Sequence, residues 1–305
     1  WQEGKATAAR RLAGAHDLDL SKSFFYTDSH DDLALLDAVG HPRLVNPDAD
    51  LAKVGSRRGW PVYRFNSRGR PGVRELAGLF GSLASLGPAA MVGVPAALAS
   101  GSVRAGADLM LSTYADLTTT LTGVELNVEG EEPLWSHRPA VFIFNHQSGL
   151  DSILMAQLTR RDVVGVAKKE LETTPIIGPL MRAAGVVFVD RGNRSRAIEA
   201  MQPAVEAMRE GLSVVIAPEG TRSGTAKIGK FKKGAFHMAM AAGVPIVPVV
   251  LKNALDALPR KAMVIRPATV DVVVHPPIPT ADWKREELDG RIAEIEQLYR
   301  DTLSD

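Results

Sequence analysis

His146 and Asp151 stand five residues apart in Asn145-His146-Gln147-Ser148-Gly149-Leu150-Asp151, directly after the apolar run 140–144. An imidazole with a carboxylate on one ring nitrogen keeps its other nitrogen free to act as a general base. On a continuous helix, five residues turn the pair about 140° apart, onto different faces. The two meet only if His146 lies in a loop and Asp151 in the first turn of the helix that follows. On spacing alone two readings stay open: a base with its orienting carboxylate, or a loop histidine beside an ordinary helix cap. Other charged clusters also trail apolar runs. Lys168-Lys169 follow 163–167, Asp190-Arg191 follow 186–189, and Pro218-Glu219-Gly220-Thr221-Arg222 follow 214–217. Arginine offers phosphate a bidentate fork and lysine a point charge. Gly220 lets a loop backbone come close to an anion. The plain alternative for the last cluster is a strand-to-loop turn with a surface ion pair.

The elements that must hold these residues read as α/β. Strand-length apolar runs at 140–144, 163–167, 186–189, 214–217 and 246–250 alternate with helical stretches at 152–158, 175–182, 194–209 and 234–241. Near-continuous apolar strands belong to a sheet covered by helices on both faces. Strand-like runs at 263–266 and 270–274 come next, and a charged helix at about 284–303 closes the chain. Ligands of open α/β sheets sit beyond the carboxyl ends of the strands, so parallel strands would crowd all four polar clusters onto one rim.

Composition narrows the chemistry. The 305 residues suggest about two domains. With 45% hydrophobic and 23% charged residues the chain is an ordinary globular one. Thirty-six Lys and Arg against 35 Asp and Glu leave a net charge of +1, which argues against a strongly basic nucleic-acid binder. The absence of cysteine excludes disulfides, cysteine-ligated zinc and a thiol nucleophile. Residues 76–103 hold no charge in 28 positions, but Pro88, Pro95 and five glycines interrupt them. A bilayer span needs about 20 apolar residues. The stretch is expected to be two helices, broken near Gly87-Pro88 or Val94-Pro95. They either lie in a membrane interface, pack as a hairpin on the domain, or span.

The four clusters together go beyond spacing. The segment 145–151 resembles the first motif of the glycerolipid acyltransferase family, which includes the 1-acylglycerol-3-phosphate acyltransferases. Gly185-Val186-Val187-Phe188-Val189-Asp190-Arg191, Pro218-Glu219-Gly220-Thr221-Arg222-Ser223 and Val244-Pro245-Ile246-Val247-Pro248-Val249 resemble its second, third and fourth blocks, in order, over about residues 120–280. Ala217 stands where that family usually has an aromatic residue. The resemblance implies an α/β acyltransferase domain at 124–305, preceded by a linker and apolar membrane-associating helices at 66–123. It implies transfer of an acyl group from a thioester, acyl-CoA or acyl carrier protein, to the hydroxyl of lysophosphatidic acid. Glycerol-3-phosphate or another lysophospholipid is the alternative acceptor, and a decayed membrane-bound scaffold the alternative class. His146 is then the base and Asp151 its orienting partner. Arg191, Glu219, Gly220, Thr221 and Arg222 fall on acceptor-binding positions, with Lys168 or Lys169 as a further cation. Neither a metal nor a cofactor is required. A backbone N–H near these loops is implied as the oxyanion donor, and Ser148 is expected to shape the loop, with a seryl acyl-enzyme as the alternative. The expected partners are lysophospholipid, acyl thioester and a membrane surface, not nucleic acid. The expected location is the cytoplasmic face of the cell membrane, monotopic or peripheral. Lys227, Lys230, Lys232 and Lys233 either contact CoA phosphates or an anionic membrane, or form a solvated basic loop. Met238 and Met240 are expected in the core.

Residues 1–65 have a different resemblance. Tyr26-Thr27-Asp28-Ser29-His30-Asp31-Asp32-Leu33, with Val39-Gly40-His41-Pro42 and Val45-Asn46-Pro47-Asp48, resemble the last part of a haloacid-dehalogenase-type phosphatase of the phosphoserine phosphatase kind. Asp28 and Asp32 match its magnesium-binding acidic motif and Lys5 its lysine. Its nucleophilic Asp-x-Asp-x-Thr is missing, because Asp17-Leu18-Asp19-Leu20-Ser21 follows the lysine and no apolar strand precedes it. The expectation is therefore a truncated phosphatase-like segment that hydrolyses nothing alone, fused to an acyltransferase as in actinobacterial fusions.

Overall fold

Every residue of the run from Val141 to Phe144 is buried, and so is every residue from Ile246 to Leu251. Strands apolar on both faces are central strands, and these two become neighbours at the middle of the larger sheet. The computed structural model describes residues 2–64, 71–175, 177–190, 194–223, 225, 227–259 and 262–304. Two compact units emerge, residues 1–69 with 267–269, and residues 70–266 with 270–305.

The first unit contains α1 (Gln2–Ala15), β1 (Phe24–Thr27), α2 (Leu33–Leu36), β2 (His41–Val45), α3 (Ala49–Arg58) and β3 (Val62–Tyr63). The strands pair in parallel in the order β1-β2-β3. Leu36, Leu44 and Leu51 form its core, with Phe25, Leu33, Trp60 and Val62 packed around them. Asp48 caps α3 by accepting from the N–H groups of Asp50 and Leu51. The Lys5 ammonium pairs with Asp32, whose other oxygen accepts from the Thr27 hydroxyl at 2.7 Å.

The second unit opens with three helices, α4 (Val73–Ala84), α5 (Leu86–Ser100) and α6 (Val103–Thr122). Here the expected breaks move. The first break falls at Ser85 rather than at Gly87-Pro88, because Pro88 lies in the first turn of α5, where no N–H is needed. Pro95 forfeits one backbone bond inside α5, yet the helix runs on to Ser100. Val73–Ser100 is a 28-residue stretch that is long and apolar enough to cross a membrane. The reversal comes at Gly101, which takes a φ of 67° and turns α5 back along α6. These two helices touch at glycines. A Cβ on Gly93 would meet the Gly106 carbonyl oxygen at 2.6 Å, and a Cβ on Gly106 would meet that of Ala97 at 2.5 Å. On the other side Phe80, Met91 and Leu98 are 68%, 78% and 80% exposed.

The sheet strands are β4 (Val124–Glu129), β5 (Val141–Phe144), β6 (Val163–Lys168), β7 (Val187–Val189), β8 (Ser213–Ile216), β9 (Ile246–Leu251) and β10 (Ala268–Val274), in the order β4-β10-β9-β5-β8-β6-β7. From β9 to β7 all pairs are parallel, while β10 runs antiparallel to β9. Helices α7 (Pro133–Ser136), α8 (Asp151–Thr159), α9 (Ile177–Ala183), α10 (Arg194–Arg209), α11 (Gly234–Ala242), α12 (Ala254–Ala257) and α13 (Leu288–Ser304) flank the sheet or link its strands. The core joins Val141, Ile143, Val214, Ile246 and Val250 of the strands to Phe236, Met238, Ile292, Ile295 and Tyr299 of the helices. Met238 is buried and Met240 packs against that core, as expected of them.

Two expectations need correction. Residues 263–266 form no strand; Ile265 is buried there while Arg266 donates its N–H to the Ala257 carbonyl, a loop contact rather than a ladder. The last helix begins at Leu288 rather than near 284, after a turn in which Glu287 donates to Lys284.

Candidate active site

The loop after β5 is anchored before it reaches His146. The Asn145 side chain behaves like one more strand residue: its Oδ1 accepts from the Leu251 N–H and its Nδ2 donates to the Leu251 carbonyl, both at 2.8 Å. His146 follows in the loop, and Asp151 is the first residue of α8, which is the one arrangement that lets them meet. His146 Nδ1 lies 2.9 Å from Asp151 Oδ2. The same oxygen accepts from the N–H groups of Gln147 and Ser148 at 2.8 Å each. A carboxylate is an acceptor, so Nδ1 carries the proton and Nε2 presents a lone pair. Nε2 has no hydrogen-bond partner among the described residues, and the His146 side chain is 23% exposed while that of Asp151 is fully buried. The geometry is that of a base aimed outward from a fixed internal carboxylate.

Ser148 is buried in the same loop. Its hydroxyl donates to the Leu258 carbonyl at 2.7 Å and accepts from the Leu150 N–H. That commitment makes it a loop former and not a nucleophile.

The third cluster lies in the loop that follows β8, the strand directly beside β5. Glu219 is 4% exposed. Its Oε1 accepts from the His146 N–H at 2.7 Å and its Oε2 from the Gly229 N–H at 2.6 Å. Burial pushes this carboxyl above the usual carboxylate range, against the pull of the two N–H groups. Glu219 was expected among the acceptor-binding residues. Its oxygens are instead turned onto the protein's own backbone, and it is a brace between the base loop and the segment after the third motif. The Ser223 N–H adds a second tie, to the His146 carbonyl at 2.8 Å.

The cations stand outside this frame. Gly220 takes a φ of 72°, and a Cβ there would meet Lys232 Nζ at 2.9 Å, so the lysine stem lies across it. Arg222 Nη1 lies 3.2 Å from where a Gly149 Cβ would be, which puts the guanidinium against the base loop. Thr221 and Arg222 are exposed. Lys168 ends β6 and Lys169 follows, both exposed, two strands from β5 and so about 10 Å along the rim from it. Arg191 lies outside the described residues. Of the basic loop, Lys233 is paired with Asp289 at 2.7 Å, while Lys227 and Lys230 are exposed. Among the described residues no group of three or more His, Asp or Glu side chains is arranged to hold a metal ion.

Helix α13 supplies two residues that no motif marks. Tyr299 places its hydroxyl 2.7 Å from the Ile143 carbonyl oxygen. Glu296 accepts from the Phe231 N–H at 2.7 Å and pairs with Arg300 at 2.8 Å. Both lie far along the chain from the residues they touch, so local pattern could not find them.

Comparison with known proteins bears on this site. The family model described as Acyltransferase matches residues 125–252. A 1-acyl-sn-glycerol-3-phosphate acyltransferase of Limnanthes alba is 35% identical over 184 residues, 60% of this chain and 65% of that protein. The chain thus spans just under two thirds of that relative's length. An uncharacterized acyltransferase of Schizosaccharomyces pombe is 34% identical over 201 residues, 65% of this chain and 72% of that protein. The crystal structure of the 1-acyl-sn-glycerophosphate acyltransferase PlsC of Thermotoga maritima has the same fold, with a TM-score of 0.63 at 23% identity over 76% of this chain and 97% of that one.

The division between internal carboxylates and outer cations predicts opposite stability effects. Glu219→Gln leaves an amide donor facing a backbone N–H, and thermal denaturation is expected to show a loss of about 1–3 kcal/mol. Arg222→Ala is expected to leave the thermal midpoint unchanged.

Proposed function

The chain belongs to the acyltransferase family, and from that premise we propose that it moves a fatty acyl group from an acyl thioester to the free hydroxyl of lysophosphatidic acid, making phosphatidic acid. The observation that carries this reading is His146, with Nδ1 held by Asp151 and Nε2 without a partner among the described residues, in a loop that Arg222 lies against at Gly149. Nε2 takes the proton of the acceptor hydroxyl as its oxygen attacks the thioester carbonyl. The C–O bond forms, the C–S bond breaks, and the departing thiolate recovers the proton from the imidazolium. No acyl-enzyme is invoked, since the sequence has no cysteine and the Ser148 hydroxyl is committed to Leu258. Arg222 and Lys232 take the acceptor phosphate. Lys168 and Lys169 extend that cationic rim toward the phosphates of acyl-CoA or of an acyl carrier protein. The relatives' names support the acceptor, and the pairing of an open base with cations that have no acidic partner among the described residues supports the chemistry.

The lipid nature of acceptor and product gives the exposed side chains of α4 and α5 a purpose. We place Phe80, Met91 and Leu98 in a membrane interface on the cytoplasmic face, as a monotopic attachment. The phosphatase-like reading of residues 1–65 is a separate one. The Lys5–Asp32 pair and the parallel strands are compatible with it, and no hydrolytic step is assigned to it, because the nucleophilic motif is missing.

Two measurements test these readings. Thiol release from acyl-CoA in the presence of lysophosphatidic acid is expected to fall by about 10²- to 10⁴-fold in His146→Ala with the fold retained; near-wild-type turnover would remove the base assignment. Sedimentation with anionic vesicles is expected to weaken strongly in the double variant Phe80→Asp, Leu98→Asp, and unchanged binding would remove the interface.

A further inference from the structure

Tyr299 occupies an unusual position for a core side chain. Its ring is fully buried, and its hydroxyl donates to the Ile143 carbonyl at 2.7 Å and accepts from the Val249 N–H at 3.2 Å. The Val249 carbonyl lies at 3.4 Å, too far to compete for the one proton. Strands β5 and β9 are parallel, with Ile143 opposite Pro248. In that register the next rung of the ladder runs directly from the Val249 N–H to the Ile143 carbonyl. An earlier rung is made in that direct way, from the Val141 N–H to the Pro245 carbonyl at 2.9 Å. The phenol oxygen therefore bonds both groups of that rung and ties the ends of β5 and β9 to α13, three residues before His146. Two residues further on, the Asn145 amide joins the strands again through Leu251. Burial raises the Tyr299 phenol well above its ordinary range, so it stays a donor at every working pH.

The same helix also steadies the opposite side of the site. Glu296, one turn earlier, holds the Phe231 N–H, next to Lys232. The Phe231 ring meets the Tyr299 ring edge-on with centroids 5.1 Å apart.

We infer that Tyr299 is a positioning residue for the base: its hydroxyl, bonded to the Ile143 carbonyl and the Val249 N–H, ties both strand ends to α13 and sets where the chain carrying His146 leaves the sheet. Tyr299 touches no reacting atom. Without its oxygen the two backbone groups still face each other across the ladder, which keeps them satisfied and the protein folded. The end of β5, released from α13, shifts His146 relative to Asp151 and Glu219, its two carboxylate partners. A displacement near 1 Å is enough to cost about 10²-fold in rate. The kinetic part of this inference rests on the acyl-transfer reading above.

The test is Tyr299→Phe, which keeps the ring and removes one oxygen. Two readouts are taken on the same protein. The first is the kcat and KM for acyl-CoA and lysophosphatidic acid. The second needs no substrate: the low-field proton NMR signal of the His146 Nδ1–H, assigned by its loss in His146→Gln. The expected result is a kcat lower by about 10- to 100-fold, both KM values little changed, and a shifted or broadened His146 signal. A wild-type kcat overturns the inference. So does a reduced kcat with an unmoved His146 signal, which would mean that the loss is general and does not pass through the base. If the wild-type protein transfers no acyl group to lysophosphatidic acid, the functional reading fails on its own, and the NMR arm still decides whether Tyr299 holds His146.

Discussion

Asp151 brings three donors onto a single oxygen: the ring Nδ1 of His146 and the N–H groups of Gln147 and Ser148. The carboxylate is fully buried at the first residue of α8, where the positive end of the helix dipole favours its charge. A buried charge costs heavily unless it is well hydrogen-bonded, and here its main partners are the loop that it shapes. The loop therefore has little choice of conformation. His146 is fixed in one tautomer with its second nitrogen outward, and the serine that could have been a nucleophile is turned inward to Leu258.

The rest of the unit protects this arrangement from several directions. Glu219 grips the His146 backbone from the loop after β8 and passes the constraint on to Gly229. Asn145 ties the loop to the end of β9, and the Tyr299 hydroxyl bonds both strands just before it. Polar groups of opposite sign are kept in different layers. Carboxylates lie inside, on backbone N–H groups, while Arg222 and Lys232 lie outside, across Gly149 and Gly220. A site with that layering can take an anion at its mouth without neutralising the carboxylate that orients its base.

Much of this was legible in the chain. Val141–Phe144 and Ile246–Leu251 are apolar on both faces because they are central strands, and a run without polar interruption carries that information locally. The meeting of His146 with Asp151 was legible as a condition, loop followed by helix start, and the structure meets the condition. What failed did so for identifiable reasons. The hydrogen bonds of Glu219 were not legible, because a carboxylate in a loop announces charge but not its partners, which are N–H groups at His146 and Gly229. Pro95 reads as a helix breaker, yet α5 loses only the one bond and continues. Residues 263–266 have strand-like composition, but Arg266 bonds to Ala257 and pairs with no strand. Tyr299 and Glu296 look like ordinary members of a charged helix; their roles depend on contacts across 156 and 65 positions, which local periodicity does not encode.

The central claim is that an open imidazole nitrogen works beside cations that read a phosphate. The most direct test compares two acceptors that differ only in that phosphate. Thiol release from acyl-CoA by the purified protein in vesicles should be fast with lysophosphatidic acid and near background with the matching monoacylglycerol. Equal rates with the two acceptors, or release that needs neither, would contradict the account.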